Sequence, residues 1–292
     1  MAGLQKFGGN WTSEKLERLK KYLSAYASIL SKQKFSYAYI DAFAGTGYRE
    51  LCDTGNEENL LFPELAEVEP QQFLEGSAHI ALSCEPSFHR YIFIEKSAKK
   101  FAELQANLLQ KFPDKEKNII FVRGDANTVI QELCEKDWRY HRAVLFLDPF
   151  GMQVRWNTIE SVAKTKAIDL WILFPLGVGV NRMLTQNGQI DKKWKHKLDE
   201  VFGATDWVKA FYRPMSQTSL FGKSLNLRKT ADFSDIMTYY LNRLKTVFPH
   251  VAENPLPLFN SKNIPLFALF FAAGNPKGGK TAVKIAQYIL EN

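Results

Sequence analysis

Four acidic residues stand where strands are expected to end: Asp41, Glu95, Asp125 and Asp148. Shortly after the first comes Gly45-Thr46-Gly47, and residues without a Cβ let a backbone come up against a ligand. In an open parallel sheet the strand ends share one edge, and ligands bind in the crevice outside it. A carboxylate after the second strand, Glu95, is placed to take both hydroxyls of a ribose. An acidic or amide group after the third, within Asp125-Ala126-Asn127, can accept from an adenine amino group. The set therefore suits a nucleoside, and no metal site is expected.

The elements that must hold these residues follow from hydrophobic periodicity. The stretch through Tyr39-Ile40 to Asp41 reads as a buried strand, and 90–94, 118–122, 143–147 and 168–174 read as four more. Helices are expected at 97–111, around Val129, Ile130 and Leu133, and at 156–164. Strands alternating with helices predict a doubly wound, mostly parallel α/β sheet. Ahead of it, Leu16, Leu19, Leu23, Tyr26, Ile29 and Leu30 keep helical spacing behind Thr12 or Ser13 as cap. That helix reads as a cover, with Trp11 and Lys15 able to reach the ligand side. Residues 48–75 are acidic, contain Pro63 and Pro70, and hold no period, so they read as an inserted loop on the active face. Helix resumes at 76–82. Residues 177–260 read as a mostly helical, basic region with Trp194, Trp207, Phe211, Tyr212, Phe221, Tyr239 and Tyr240 interleaved. An apolar strand at 265–273 and a helix at 281–290 close the chain.

Composition narrows the class. At 46% hydrophobic and 24% charged residues the chain is of ordinary globular type. Its apolar runs are too short to cross a bilayer, and no leader opens it. Cys52, Cys84 and Cys134 lack a C-x-x-C spacing, which argues against a zinc or disulfide framework and suits the cytoplasm. The net charge of +7 is uneven: residues 192–292 carry 15 Lys and Arg against 7 Asp and Glu. A basic last third suits a nucleic acid or another polyanion.

Two nucleoside cofactors compete for the crevice. A dinucleotide site needs G-x-G-x-x-G opening a helix directly. Here a third glycine is missing and a long insertion precedes the next helix, so a cofactor without phosphates, S-adenosylmethionine, fits better. The segments YIDAFAGTG, FIEK, GDAN and FLDPFG resemble the successive cofactor and catalytic motifs of Rossmann-fold methyltransferases. More closely, KKYLSAYASIL, GSAHIAL, WNTIESVAKTKAIDLWILFPLGVGVNRML and the closing strand–helix resemble the three-Cys-motif partner family, over nearly the whole chain. The family's name refers to cysteines in its partner, a phage-type protein.

The resemblance implies a Rossmann-like methyltransferase fold with a helical insertion before the last strand. Residues 1–35 would form the N-terminal cover, 36–176 and 262–292 the core, and 177–261 the insertion for substrate or partner. It implies cofactor contacts from Asp41, Phe43, Ala44, Gly45, Gly47, Glu95, Lys96, Asp125, Ala126 and Asn127. Asp148-Pro149-Phe150-Gly151 resembles the motif of enzymes that methylate exocyclic base amines, and is nearer still to that of tRNA guanine-N2 methyltransferases. Asp148 and the Pro149 carbonyl would hold the amine, Phe150 would stack on the base, and Gly151, Asn181 and Arg182 would contact the substrate. The reading is a methyltransferase acting on nucleic acid, RNA before DNA. The alternative is a catalytically silent, methyltransferase-like partner in a phage- or defence-associated complex. A third, Gly274-Asn275-Pro276-Lys277-Gly278-Gly279-Lys280-Thr281, matches the G-x-x-x-x-G-K-T phosphate loop, but too little chain follows it for a triphosphatase domain.

Overall fold

A computed structural model describes residues 11–46, 76–219 and 222–292, with no side chains described at 216–226. Helix α1 (Trp11–Leu30) leads into β1 (Ser36–Asp41). After the undescribed stretch, α2 (Ser77–Leu82), β2 (Arg90–Glu95), α3 (Ala98–Lys111), β3 (Ile119–Arg123), α4 (Ala126–Cys134), β4 (His141–Leu147), α5 (Trp156–Lys164) and β5 (Ile168–Phe174) alternate as expected. The sheet order is β3-β2-β1-β4-β5, all parallel, then β10 (Pro265–Ala273) antiparallel to β5. Short β8 (His250–Val251) and β9 (Leu256–Phe259) pair with β10. The doubly wound, mostly parallel α/β arrangement is therefore present.

Strict alternation feeds two cores. Leu145 and Leu147 of β4 and Leu170, Ile172 and Phe174 of β5 face α4, α5, α6 (Lys192–Phe202) and α8 (Phe233–Val247). Val144, Phe146, Trp171 and Leu173 face α1, α2, α3 and α9 (Gly279–Glu291). Helix α1 lies on the second face as a cover, through Leu16, Leu19, Leu23 and Tyr26, but Ile29 is 40% exposed. Thr12 and Ser13, expected as its cap, lie inside the helix.

The inserted region departs from its mostly helical reading. After α6 and α7 (Trp207–Phe211) the chain forms a hairpin, β6 (Tyr212–Ser219) with β7 (Gly222–Lys229). These strands pair only with each other and lie outside the main sheet.

Candidate active site

The strand order reverses between β1 and β4, and an α/β sheet opens its crevice at such a switch point. The register shapes it. Asp41 lies level with Phe93 of β2 and Phe146 of β4. Glu95 and Asp148 therefore stand two residues further along, roughly 7 Å beyond the end of β1.

Asp41 itself does not open onto the crevice. It is fully buried, its Oδ2 accepting from Ser77 Oγ at 2.5 Å and Tyr39 Oη at 3.2 Å, its Oδ1 from the Phe43 N–H at 3.2 Å. Burial, reinforced by the charge of Asp148, raises its pKa to about 6 against the pull of those donors. Asp41 ties the end of β1 to the first residue of α2. Phe43 is half-buried against the core, and Ala44 is buried with its N–H on the Ile94 carbonyl at 3.1 Å. Gly45 has φ +59, and among the described residues a Cβ built there would meet nothing within 4 Å. Gly47 lies outside the described residues.

Glu95 clamps that turn from the neighbouring strand. Its Oε2 accepts from the Gly45 N–H at 3.1 Å and its Oε1 from the Ser97 N–H at 2.7 Å. Asp125 caps α4 by accepting from the Asn127 N–H at 3.1 Å, and Lys96 stands 3.5 Å from its Oδ2. Burial pushes the Asp125 pKa up, but Asn127, Lys96 and the helix amides outweigh it and hold the group below the usual carboxylate range. Ala126 is buried at the start of α4. Asn127 spends its carboxamide within the protein. Its carboxamide donates to the Gln153 carbonyl and accepts from the Arg155 N–H and Thr158 Oγ1, each at 2.9 Å, and so anchors the loop after β4.

That loop carries Asp148-Pro149-Phe150-Gly151. Pro149 and Gly151 are buried, Gly151 with φ +79, while Phe150 is 40% exposed with its N–H on Gln153 Oε1 at 3.2 Å. Asp148 receives Lys15 from α1: Nζ stands 2.5 Å from Oδ2, and Lys15 is 5% exposed. Trp11 stacks on Phe267 and lies under the same ammonium at 5.0 Å. The cover helix thus delivers a cation into the site. Its flanking position beside the apolar stripe, one turn after Trp11, is the only trace of this in the sequence.

Beyond β5, a wide helical turn at Leu176–Asn181 packs on the loop, and a Cβ on Gly179 would meet Met152 at 2.8 Å. Such π-type turns gather at functional sites. Asn181 lies at this edge, but its Oδ1 accepts from Lys229 Nζ of β7 at 2.5 Å, which anchors the hairpin. Arg182 is exposed at the same edge.

The phosphate-loop-like segment lies elsewhere. β10 runs against β5, with Ala273 beside Asp169 and the Gly274 N–H on the Ile168 carbonyl at 3.0 Å. The turn after it is therefore at the opposite edge of the sheet. Its amides are used internally, Gly279 to the Asn275 carbonyl and Thr281 and Ala282 to that of Gly278. Two surface hollows, of about 410 and 420 Å³, also lie away from the strand-end carboxylates. No described helix is long and apolar enough to cross a membrane.

No family model and no curated protein matches the chain. Among solved structures it is similar to protein LPL1258 from Legionella pneumophila, at 12% identity and TM-score 0.46 over 94% of this chain and 91% of that one. It is also similar to Trm1 from Pyrococcus horikoshii in complex with S-adenosyl-L-methionine, at 12% identity and TM-score 0.44 over 92% and 58%. A third is spermidine synthase from Thermotoga maritima, at 9% identity and TM-score 0.38 over 95% and 62%.

Proposed function

We propose that this chain is an S-adenosylmethionine-dependent methyltransferase acting on an exocyclic amine of an RNA base. The observation that carries this is one crevice combining the open, left-handed turn at Gly45, the Glu95 clamp, Asp125 and the exposed Phe150 beside Asp148. The turn leaves room for a nucleoside, and both Glu95 oxygens keep lone pairs for ribose hydroxyls. Asp125 is positioned for the adenine amino group and Lys96 for its rim. When bound, the cofactor supplies an electrophilic methyl group; alignment falls to the chain. Asp148 Oδ1 and the Pro149 carbonyl accept the two hydrogens of the amine, which aims its lone pair. Lys15 holds Oδ2 and so fixes the carboxylate plane. Phe150 stacks on the base, and the proton lost from nitrogen leaves through Asp148 Oδ1 to water.

The second reading, a catalytically silent member of a phage- or defence-associated complex, draws on the same ion pair, because Lys15 already occupies part of Asp148. The resemblance to the three-Cys-motif partner family supports a phage-type protein partner, and the cysteine spacing a cytoplasmic setting, under either reading. Calorimetric titration with S-adenosylmethionine, followed by labelled methyl transfer to bulk RNA and DNA, separates them. Wild type should bind, and Glu95→Ala should bind at least about tenfold more weakly, having lost charge-assisted acceptors. Asp148→Ala should bind normally and transfer at least about a hundredfold more slowly, since alignment depends on it. No binding by wild type rejects the enzyme; binding without transfer to either acceptor favours the silent reading.

A further inference from the structure

Helix α6 carries a cluster of charge that its own stability does not explain. Lys192, Lys193 and Lys195 sit in its first turn, capped by Asp191, whose Oδ1 accepts from the Lys193 N–H at 2.8 Å. Cations at a helix N-terminus oppose the macrodipole. Lys99 and Lys100 of α3 and Lys280 of α9 also lie in first turns, but only α6 gathers three lysines around an exposed tryptophan there. The three lysines of α6 are exposed, and no acidic side chain among the described residues pairs with them.

Trp194 stands in the middle of this cluster. It continues the stripe of Leu198, Val201 and Phe202, all buried against the core, but at its own position the body has ended and it is 37% exposed. An exposed indole set among lysines offers a surface on which an unpaired base can stack. The far end of α6 reaches the catalytic loop. Glu200 holds Lys197 at 3.0 Å and stands 3.8 Å from both His196 and Arg155, and Arg155 ends the segment opened by Asp148. From Glu200 to Lys193 is about 10 Å along the helix.

We propose that Lys192, Lys193, Trp194 and Lys195, with Arg155, form the track on which single-stranded RNA flanking the target base lies. The lysines take phosphates and Trp194 stacks on one unpaired base. A stacking platform and an amine acceptor each need a base freed from its pair, and a single strand offers one without the cost of unpairing. The inference rests on the function proposed above and adds the surface that recognises the polymer.

The test uses the full chain with fluorescein-labelled single-stranded RNA, its duplex and the DNA of the same sequence. Lys192→Glu/Lys193→Glu/Lys195→Glu should lose at least about tenfold in RNA affinity, and its log K against log salt slope should shrink by about 2, three phosphate contacts at ~0.7 each. Its Tm should hold or rise, since glutamates suit a helix start. Trp194→Ala should weaken single-strand binding about fivefold or more with an unchanged salt slope. Unchanged affinity and slope in the triple variant, while wild type transfers methyl groups to RNA, overturns the track alone. Absence of RNA binding and transfer by wild type overturns the function with it. Tighter wild-type binding to DNA or to duplex overturns the single-stranded RNA assignment.

Discussion

At the scale of single residues, the site is made of groups with divided duties. Glu95 and Asp148 face the crevice, whereas Asp41 and Asn127 spend their polar atoms on the protein and hold the two loops that matter. Gly45 marks the boundary between these duties. Its φ of +59 is costly for any residue with a Cβ, yet among the described residues nothing within 4 Å would be struck by one. Gly45→Ala should therefore lower stability by only about 1–2 kcal/mol, the left-handed penalty. It should weaken S-adenosylmethionine binding at least about tenfold if that space holds the ligand. Urea denaturation and calorimetry read the two effects separately. An unchanged affinity would show that the open space is solvent only.

Between elements, α1 and α6 approach the loop after β4 from the two faces of the sheet. Helix α1 brings Lys15 to Asp148, and α6 docks on Trp156, the first residue of α5. The docking depends on Gly203, which ends α6 at φ +61 and whose Cβ would stand 1.9 Å from the Trp156 ring. With that ring buried, the neighbour has no room to give. Gly203→Ala should cost about 2–4 kcal/mol from left-handed strain and overpacking together. A fall of less than about 1 kcal/mol in urea denaturation, below the strain penalty alone, would mean that α6 docks more loosely than this geometry requires.

Across the whole molecule, stability should depend on pH through two buried carboxyls. Asp169, at the start of β5, accepts from Tyr22 of α1 at 2.8 Å, and burial raises its pKa to about 7, with Tyr22, Arg142 and the Gly274 N–H pulling the other way. Asp41 is raised to about 6. In both cases the folded chain keeps a proton that the unfolded chain has lost, so stability falls as pH rises from the unfolded pKa near 4 to the folded one. Between pH 5 and 7 wild type should lose on the order of 3–4 kcal/mol. Asp169→Asn, which keeps the acceptor for Tyr22, should flatten that fall; a wild-type profile level across this range would contradict both shifts. How much of this was legible differs by kind of contact. Apolar alternation and strand-end carboxylates carry their meaning within a few residues, so the doubly wound sheet, its edge and the positions of Glu95, Asp125 and Asp148 could be read from the chain alone. The hairpin is not among these, its strands pairing only with each other apart from the main sheet, and although Lys15 is expected on the ligand side, its pairing with Asp148 spans 133 residues. The sequence by itself determined which side chains stand at the sheet edge, since strand period and strand ends are local properties. Only the tertiary structure decided which of them remain free, because burial and long-range partners withdraw Asp41 and Asn127 from the crevice and bring a lysine into it.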